Sequence, residues 1–438
     1  MRDAPATPAQ TELLKRLQCD SFSYFLHKTN PANGLVLDKS REGWPASIAA
    51  TGLALAAYPV GVERGFMTRA DAVHRTLTTL RFFTNAPHGP QVDATGHKGF
   101  YYHFLDMQSG RRDWKSELSS VDTTFLLGGM LAAAAYFDQQ TAEEAQIRKL
   151  ADALYRKADW QWMQNGEAAV SHGWTPEKGF LPYRWKGYDE ALLIYLLGLG
   201  SPTHPLSGES YGAWSSTYKW KKIYGTEFLY AGPLFIHQLS HVWVDFRGIR
   251  DPFMRDHDLD YFENSRRATL VQQQYAIRNP REFAHYDEFC WGITSSDGPG
   301  PKTLMVDGVE RVFHDYIARG APYGPDDGTL APWAVVASLP FAPEVVLPTI
   351  QNFERMNLMP PQEYGYKASF NPTFALGRPK HEYGWVSSYH FGLNQGPIVL
   401  MIENHRTGLV WSLMRQCPYL VTGLRRAGFA GGWLEAAV

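Results

Sequence analysis

Three pairs of carboxylates stand out in the chain: Glu117 with Asp122, Asp189 with Glu190, and Asp287 with Glu288. Each pair falls at an expected helix start, where the helix macrodipole favours negative charge, so each has a structural explanation. Each is also flanked by aromatic residues and glycine. Trp114 accompanies the first pair, Trp185, Gly187 and Tyr188 the second, and Tyr286, Trp291 and Gly292 the third. A carboxyl in apolar aromatic surroundings keeps its proton near neutrality, because burial penalises the charged form. One protonated acid and one ionised carboxylate are what acid–base cleavage of a glycosidic bond requires. Aromatic rings in polar loops suit the same ligand class, since the C–H faces of sugars stack on them while hydroxyls bond to polar neighbours. Spacing alone leaves open which acid plays which part.

Other chemistries find less support. His237 and His241, in LFIHQLSHVWVDFR, are one helical turn apart, but the glutamate of an HExxH motif is missing. They read as packed or sugar-bonding imidazoles, and no metal is expected. No Gly-rich phosphate loop and no G-x-S-x-G elbow is present, so neither a cofactor nor a serine nucleophile is expected. Cys19, Cys290 and Cys417 are far apart and lack CxxC spacing, which argues against a zinc site or a disulfide framework. Glu403, Asn404 and Arg406 read as a buried polar cluster tying the last helices together. With 438 residues, 44% of them apolar, and a formal charge of -2, the chain can bury a large core and presents no basic face. Nucleic acid is therefore not an expected partner. No apolar run reaches membrane-spanning length. The start, MRDAPATPAQ, lacks the apolar stretch of a signal peptide and resembles the end left after one is removed. A periplasmic or secreted protein with a flexible leader over residues 1–10 is the expectation, with a cytoplasmic location left open. Oligomeric state is not legible.

The elements that must position these acids are mostly helical. Ser119, followed three residues later by Asp122, is a capping-box-like start. The run after it, FLLGGMLAAAAYF, is apolar on nearly every side, and such a helix is a buried one. It would show its acid-bearing N-terminus to a cleft. Periodicity and caps predict about twelve helices, over 11–28, 45–60, 69–85, 119–138, 142–161, 189–199, 228–243, 258–278, 330–339, 343–357, 391–403 and 406–415. Strand signals are weak and confined to 99–105 and 302–313. Apolar helices (45–60, 119–138, 330–339) alternate with amphipathic ones (69–85, 142–161, 258–278). An inner ring of buried helices wrapped by an outer amphipathic ring would give that pattern. The expected fold is all-α, a single (α/α)6 barrel domain over 1–438. Long loops at 86–116, 200–226, 292–327 and 357–389, with minor β-hairpins, would gather around one mouth.

The longer blocks carry a resemblance. In order they are GFYYHFLDMQSGRRDWKSELSSVDTTFLLGG, GYDEALLIYLLGLGSPTHP, FIHQLSHVWVDFRGIRD, DYFENSRRATLVQQQYAIRNP, WGITSSDGPGP, DDGTLAPWAVVASLPFAPE and LNQGPIVLMIENHRTGLVW. Together they resemble the glucoamylase-like domain of bacterial β-1,2-glucanases, glycoside hydrolase family 144, over nearly the whole chain after about residue 20. The resemblance implies an (α/α)6 barrel, export, no cofactor, and hydrolysis of β-1,2-linked glucans or gluco-oligosaccharides with net inversion. It matches Glu190 to the general acid. Glu117 and Asp122 become candidates for activating water or holding the sugar. Tyr102, His103, Trp114, Tyr188, His237, His241, Glu288, Trp291, Asp297, Asn394 and Gln395 are the candidate sugar contacts.

The chain departs from the family's pattern at two places. Asn394 stands where the last block usually has an aspartate, and Ala368-Ser369-Phe370-Asn371 stands where the block before it usually reads Asp-Ala-Phe-Asn. Two acids expected near the mouth are thus absent. Three readings remain compatible with the residues: a β-1,2-glucan hydrolase; an exo-acting sophorose-releasing enzyme, transglycosylase or glycosidase of altered linkage specificity; and a sugar-binding protein without catalysis. Retention of Glu190, Glu117 and Asp122 speaks against the third.

Overall fold

Apolar runs of the sequence become helices buried on every side. Every residue of Leu192–Gly200 is buried, as is every residue from Ile48 to Gly61 of the helix Ile48–Glu63. Ser120–Tyr136, Pro332–Ala337 and Gly392–Arg406 are of the same kind. The amphipathic helices bury one stripe only: Arg69–Asn85 buries Ala72, Thr76, Leu77, Thr79, Leu80 and Phe83 and leaves its charges outside. The computed structural model describes residues 7–359, 363–374 and 383–436. One hydrophobic core runs through it from Leu14 to Leu434.

Packing follows that division. Ile48–Glu63 lies against Ser120–Tyr136 and Gly392–Arg406, the amphipathic helix Pro8–His27 covers Gly392–Arg406, and Arg69–Asn85 packs on Ala142–Arg156. Two crossings are close enough to require glycine. A Cβ on Gly129 would stand 1.9 Å from the Gly52 carbonyl oxygen, and one on Gly423 would stand 1.7 Å from that of Leu196. The helices Ile48–Glu63 and Ser120–Tyr136 therefore meet backbone to backbone, as do Leu192–Gly200 and Pro418–Arg426.

The start of a buried helix uses one device twice. A two-residue strand, Ala46–Ser47 or Leu118–Ser119, runs straight into the helix, and its serine accepts a hydrogen bond from the backbone N–H three residues on. Leu118–Ser119 also belongs to a five-stranded antiparallel sheet with Gly96–His97, Phe100–Tyr102, Gly173–Thr175 and Gly179–Phe180. Strand content thus exceeds the minor hairpins expected. The expected strands at 302–313 form the hairpin Lys302–Val306 with Val309–Phe313.

Several boundaries differ from expectation. No continuous helix spans 228–243. Thr226–Leu229 pairs with Trp220–Ile223, and the chain then forms a 3-10 turn, Leu234–His237, and a short helix, Leu239–Trp243. Gly232 and Pro233 punctuate the run and stop a helix from passing through. Pro418–Arg426, opened by a proline at its first turn, was not expected and covers Leu192–Gly200. Thr7 forms a capping box and Pro8 opens the first helix, so residues 8–10 of the expected leader are helical. Residues 1–6 lie outside the described residues, as do 360–362 and 375–382 of the expected loop 357–389. Among the described residues no helix is long and apolar enough to cross a membrane.

The polar cluster near the C-terminus is structural. Glu403 is fully buried and receives Arg64 Nε at 2.7 Å, Arg64 Nη2 at 2.5 Å, Gln18 Nε2 at 3.1 Å and the Thr407 hydroxyl at 2.6 Å. Asn404 donates to the Val242 carbonyl at 3.1 Å, and Arg406 donates to Gln18 Oε1 at 3.0 Å. Three helices far apart in sequence are joined by one carboxylate.

Candidate active site

The strand Leu118–Ser119 holds the first acid pair in place. It pairs with Tyr101 and Tyr102 on one side and with Gly173 and Trp174 on the other. Glu117 therefore projects from a fixed edge, and its carbonyl accepts the His103 backbone N–H at 2.9 Å. One turn into the helix, Asp122 accepts from the Ser119 hydroxyl at 2.5 Å, while Ser119 caps the Asp122 N–H at 3.2 Å. His103 bridges the two acids. Its Nδ1 is 3.0 Å from Glu117 Oε1 and its Nε2 is 3.6 Å from Asp122 Oδ2, with the ring stacked on Phe104 at 4.0 Å.

Charge follows from these contacts. Burial opposes protonation of His103, but Asp122, then Glu117 and Asp38, outweigh it and carry its pKa up to about 9. Burial likewise opposes ionisation of Glu117, yet the bond and charge of His103 hold its carboxyl below the usual range. Near neutrality His103 is therefore an imidazolium set against an ionised Glu117. The ligand atoms of His103, Glu117 and Asp122 all lie within 4.8 Å of one another, near enough to share a cation. A metal there would have to displace the imidazolium proton.

Glu190 has the opposite character. It sits with Asp189 in the turn preceding Leu192–Gly200 rather than inside the helix. Burial raises the pKa of Glu190, and the charge of Asp189 raises it further. Asp189 is raised by burial too, although Trp214 Nε1 at 2.9 Å and the Ala191 N–H at 3.0 Å donate to its Oδ1. Glu190 therefore keeps its proton where Glu117 has lost its own.

Glu190, Glu117, Asp122, His103 and Asn394 all line one cavity of about 340 Å³. The rest of its wall mixes aromatic residues, including Trp185, Phe235, Tyr316 and Trp333, with aliphatic ones such as Leu181 and Leu239. His172 lies flat on Trp185 at 3.8 Å and completes that side. Trp114 does not line the cavity. It is 47% exposed, with its ring 4.6 Å from Trp44 and 4.9 Å from Phe104, which carries His103. Its φ of 51° is a strained value for so large a side chain.

The other candidate sugar contacts are placed elsewhere. Tyr188 faces the core behind Glu190, in contact with Tyr218, His237 and Tyr261. His237 and His241 are fully buried, bonded to the Ala231 carbonyl and to Ser265, and burial lowers their pKa values to about 4 and about 3. They are packed neutral imidazoles, not sugar contacts, and a break at Gln238 separates their turns. Trp291 is fully buried, with its N–H on Thr349 at 2.9 Å. Glu288 and Asp287 lie exposed in a tight turn closed by the Asp287–Cys290 bridge, with no helix start beneath them. Asp189–Glu190 therefore belongs to the cavity wall, whereas Asp287–Glu288 is a surface turn. Tyr102 is buried beneath the Arg112 guanidinium at 4.7 Å. Gln395 turns away to the Tyr366 carbonyl at 3.0 Å.

Asp297 is a brace for loops. Its carboxylate takes the Ser387 hydroxyl at 2.9 Å and Lys39 Nζ at 3.4 Å, and its carbonyl takes the Ser369 hydroxyl at 2.7 Å. Ser369 thus ties its own loop to the loop that carries Asp297. Sequence reasoning missed two groups here. Asp38, bonded by Trp44 Nε1 at 3.2 Å and lifted to about 6 mainly by burial, stands within electrostatic reach of His103 and Asp122. No motif marks it. Tyr316 was legible only as an aromatic in the long loop 292–327.

Comparison with known proteins agrees with this architecture. A curated relative, the exo β-1,2-glucooligosaccharide sophorohydrolase (non-reducing end) of Parabacteroides distasonis, is 28% identical over 95% of this chain. The chain spans 57% of that relative's length. A crystal structure of a "putative glucoamylase" from Bacteroides uniformis superposes with a TM-score of 0.85 at 30% identity, covering 98% of this chain and 100% of that one. A β-1,2-glucanase structure from Parabacteroides distasonis gives a TM-score of 0.83 at 27% identity, covering 97% of this chain and 60% of that one. The fold is therefore mostly helical, of the α/α toroid type, with short strands added. The glycoamylase family profile, described as "Putative glucoamylase", matches residues 182–418, which hold Glu190 and Asn394, and the chain belongs to that family.

Proposed function

We propose that the protein is a glycoside hydrolase that cleaves β-1,2-linked glucans or gluco-oligosaccharides, with Glu190 as general acid and the Glu117–Asp122 side supplying the base. The observation that carries this reading is the pairing of opposite protonation states across one cavity. Burial and Asp189 keep Glu190 protonated, while His103 keeps Glu117 ionised. Acid–base cleavage of a glycosidic bond needs that combination. The aromatic wall supplies faces for the sugar rings. The substrate linkage is taken from the relatives, whose names specify β-1,2-glucan and its oligosaccharides. Inversion at the anomeric centre is the stereochemistry proposed.

Six helix pairs are the proposed form of the toroid, with the buried helices inside and the amphipathic ones outside. A polymeric glucan as substrate would place the enzyme in the periplasm or outside the cell. Incubation with linear β-1,2-glucan, followed by chromatography and anomer-resolved NMR, tests the reading. A ladder of products means endo attack, and sophorose alone means exo release, the second reading that the sophorohydrolase relative favours. Longer products mean transfer. No turnover with measurable binding would refute hydrolysis.

A further inference from the structure

The loop that follows the hairpin Lys302–Val306/Val309–Phe313 is held with unusual rigour. Arg319 is fully buried, and its guanidinium is shared among several partners. Nε meets Asp327 Oδ1 at 2.7 Å and Nη2 meets Oδ2 at 2.9 Å. Nη1 donates to the Ser296 carbonyl at 2.7 Å, and Nη2 donates to the carbonyls of His314 and Asp315, each at 3.1 Å. The same Asp327 takes the His314 N–H at 2.9 Å. Ile317 and Ala318 then pair with Ser296 and Ser295. Burying an ion pair is costly, and hydrophobic residues often serve stability as well or better. What this pair secures is the backbone on both sides of one residue, Tyr316.

Tyr316 is 55% exposed, yet its side chain lines the cavity beside Glu190 and Asp122. Its ring lies 6.5 Å from Phe391. Besides burial, the charges of Asp38, Glu190, Asp122 and Asp297 all act on its phenol to raise its pKa, so the hydroxyl remains a donor. Among the described residues no hydrogen bond occupies that hydroxyl. A free donor held rigidly over acids, at the opening of a sugar-sized cavity, lacks only an acceptor.

Resting on the glycosidase reading above, we propose that Tyr316 is a substrate-contacting residue whose phenol donates a hydrogen bond to a sugar oxygen at the cleavage site, and that Arg319 is a positioning residue that acts through it. The ring covers the bound sugar while the hydroxyl fixes its orientation towards Glu190. The loop side thereby contributes to the cavity that Trp185 and His172 also line.

The test uses purified enzyme and β-1,2-gluco-oligosaccharides, with wild type and Glu190→Gln assayed in parallel. Tyr316→Phe removes only the donor from an exposed position. It should lower kcat/KM about 3- to 30-fold with the melting temperature unchanged. Tyr316→Ala should raise KM further by removing the ring. Arg319→Lys keeps the charge but loses the fork, and adding Tyr316→Phe to it should cost markedly less than in the wild-type background. Wild-type kinetics in Tyr316→Phe, together with an inactive Glu190→Gln, would overturn the role of Tyr316 and leave the hydrolase reading standing. An inactive wild type would instead refute that reading. If Arg319→Lys fails to fold, the Phe and Ala variants still decide the role of Tyr316, and equal additive losses in a folded Arg319→Lys would remove Arg319 from it.

Discussion

Replacing Glu190 with glutamine should cripple catalysis and stabilise the fold in the same stroke, with the stabilisation growing as pH rises. In the native protein the Glu190 carboxyl holds its proton well above the usual range, because burial and then the charge of Asp189 penalise ionisation. In the unfolded chain a glutamate ionises near pH ~4.3. Between those two values the native state binds a proton that the unfolded state has released. The stability contribution is therefore fully present below the unfolded pKa and is lost as pH rises towards the folded one. The slope reaches about 1.4 kcal/mol per pH unit for one proton. From pH ~5 to ~7 the wild type should lose up to about 2.7 kcal/mol on account of Glu190, and the glutamine variant should not. At about 2.1 cal/mol/K of unfolding entropy per residue, the 438-residue chain has about 0.9 kcal/mol/K, so the gap in Tm should widen by about 3 °C. Asp189 keeps its own share, so the variant's slope shrinks without vanishing. Turnover should fall by about 10²–10⁴, the usual worth of general acid assistance. Thermal melts at three pH values in one buffer system, beside hydrolysis rates, read both effects. Parallel Tm–pH curves would refute the burial of a protonated Glu190. Activity within tenfold of wild type would remove it from the mechanism.

Three further outcomes are expected. His103 is charged in the native state up to about pH 9, so its contribution to stability is full below the ordinary histidine pKa and is lost as pH rises through about 9; His103→Gln should flatten the stability curve in that window and depress kcat, and an unchanged melt-versus-pH curve would contradict the imidazolium. Gly129→Ala drives a methyl into the Gly52 carbonyl and should destabilise by about 1–3 kcal/mol or more while lowering kcat, read by urea denaturation and initial rates. Glu403→Leu leaves Arg64 without its carboxylate and should cost about 3–5 kcal/mol in urea denaturation, and a loss below about 1 kcal/mol would show that the cluster contributes little.

The buried helices and the acids at their starts were legible because their signals are local: an apolar run, a serine cap, a carboxylate in company with rings. Glu190, Glu117, Asp122, His103 and Asn394 meet in one cavity as a set drawn from separate blocks. Tyr188, His237, His241, Trp291 and Glu288 carried the same sequence signals and went elsewhere, because flanking aromatics do not tell which way a side chain turns. The histidine pair was misplaced because the continuous helix that its spacing assumed is broken at Gln238, between the two rings. Asp38 and Tyr316 escaped notice for a different reason. Their significance lies in contacts with residues distant in the chain, as with Asp38 and His103 or Tyr316 and Glu190, and no short window of sequence contains both partners.

The glycine crossings bear on how such a scaffold can diversify. Where two backbones touch, no choice of side chain can widen or narrow the gap by small steps. The spots from which Asp122 and Glu190 project are consequently locked against gradual drift, each by a different crossing. The loops over the opening obey another rule, since Lys39–Asp297 and Arg319–Asp327 pin them independently of the helices. New tastes in substrate length can thus be acquired by re-pinning a loop, while the cutting distance stays inherited.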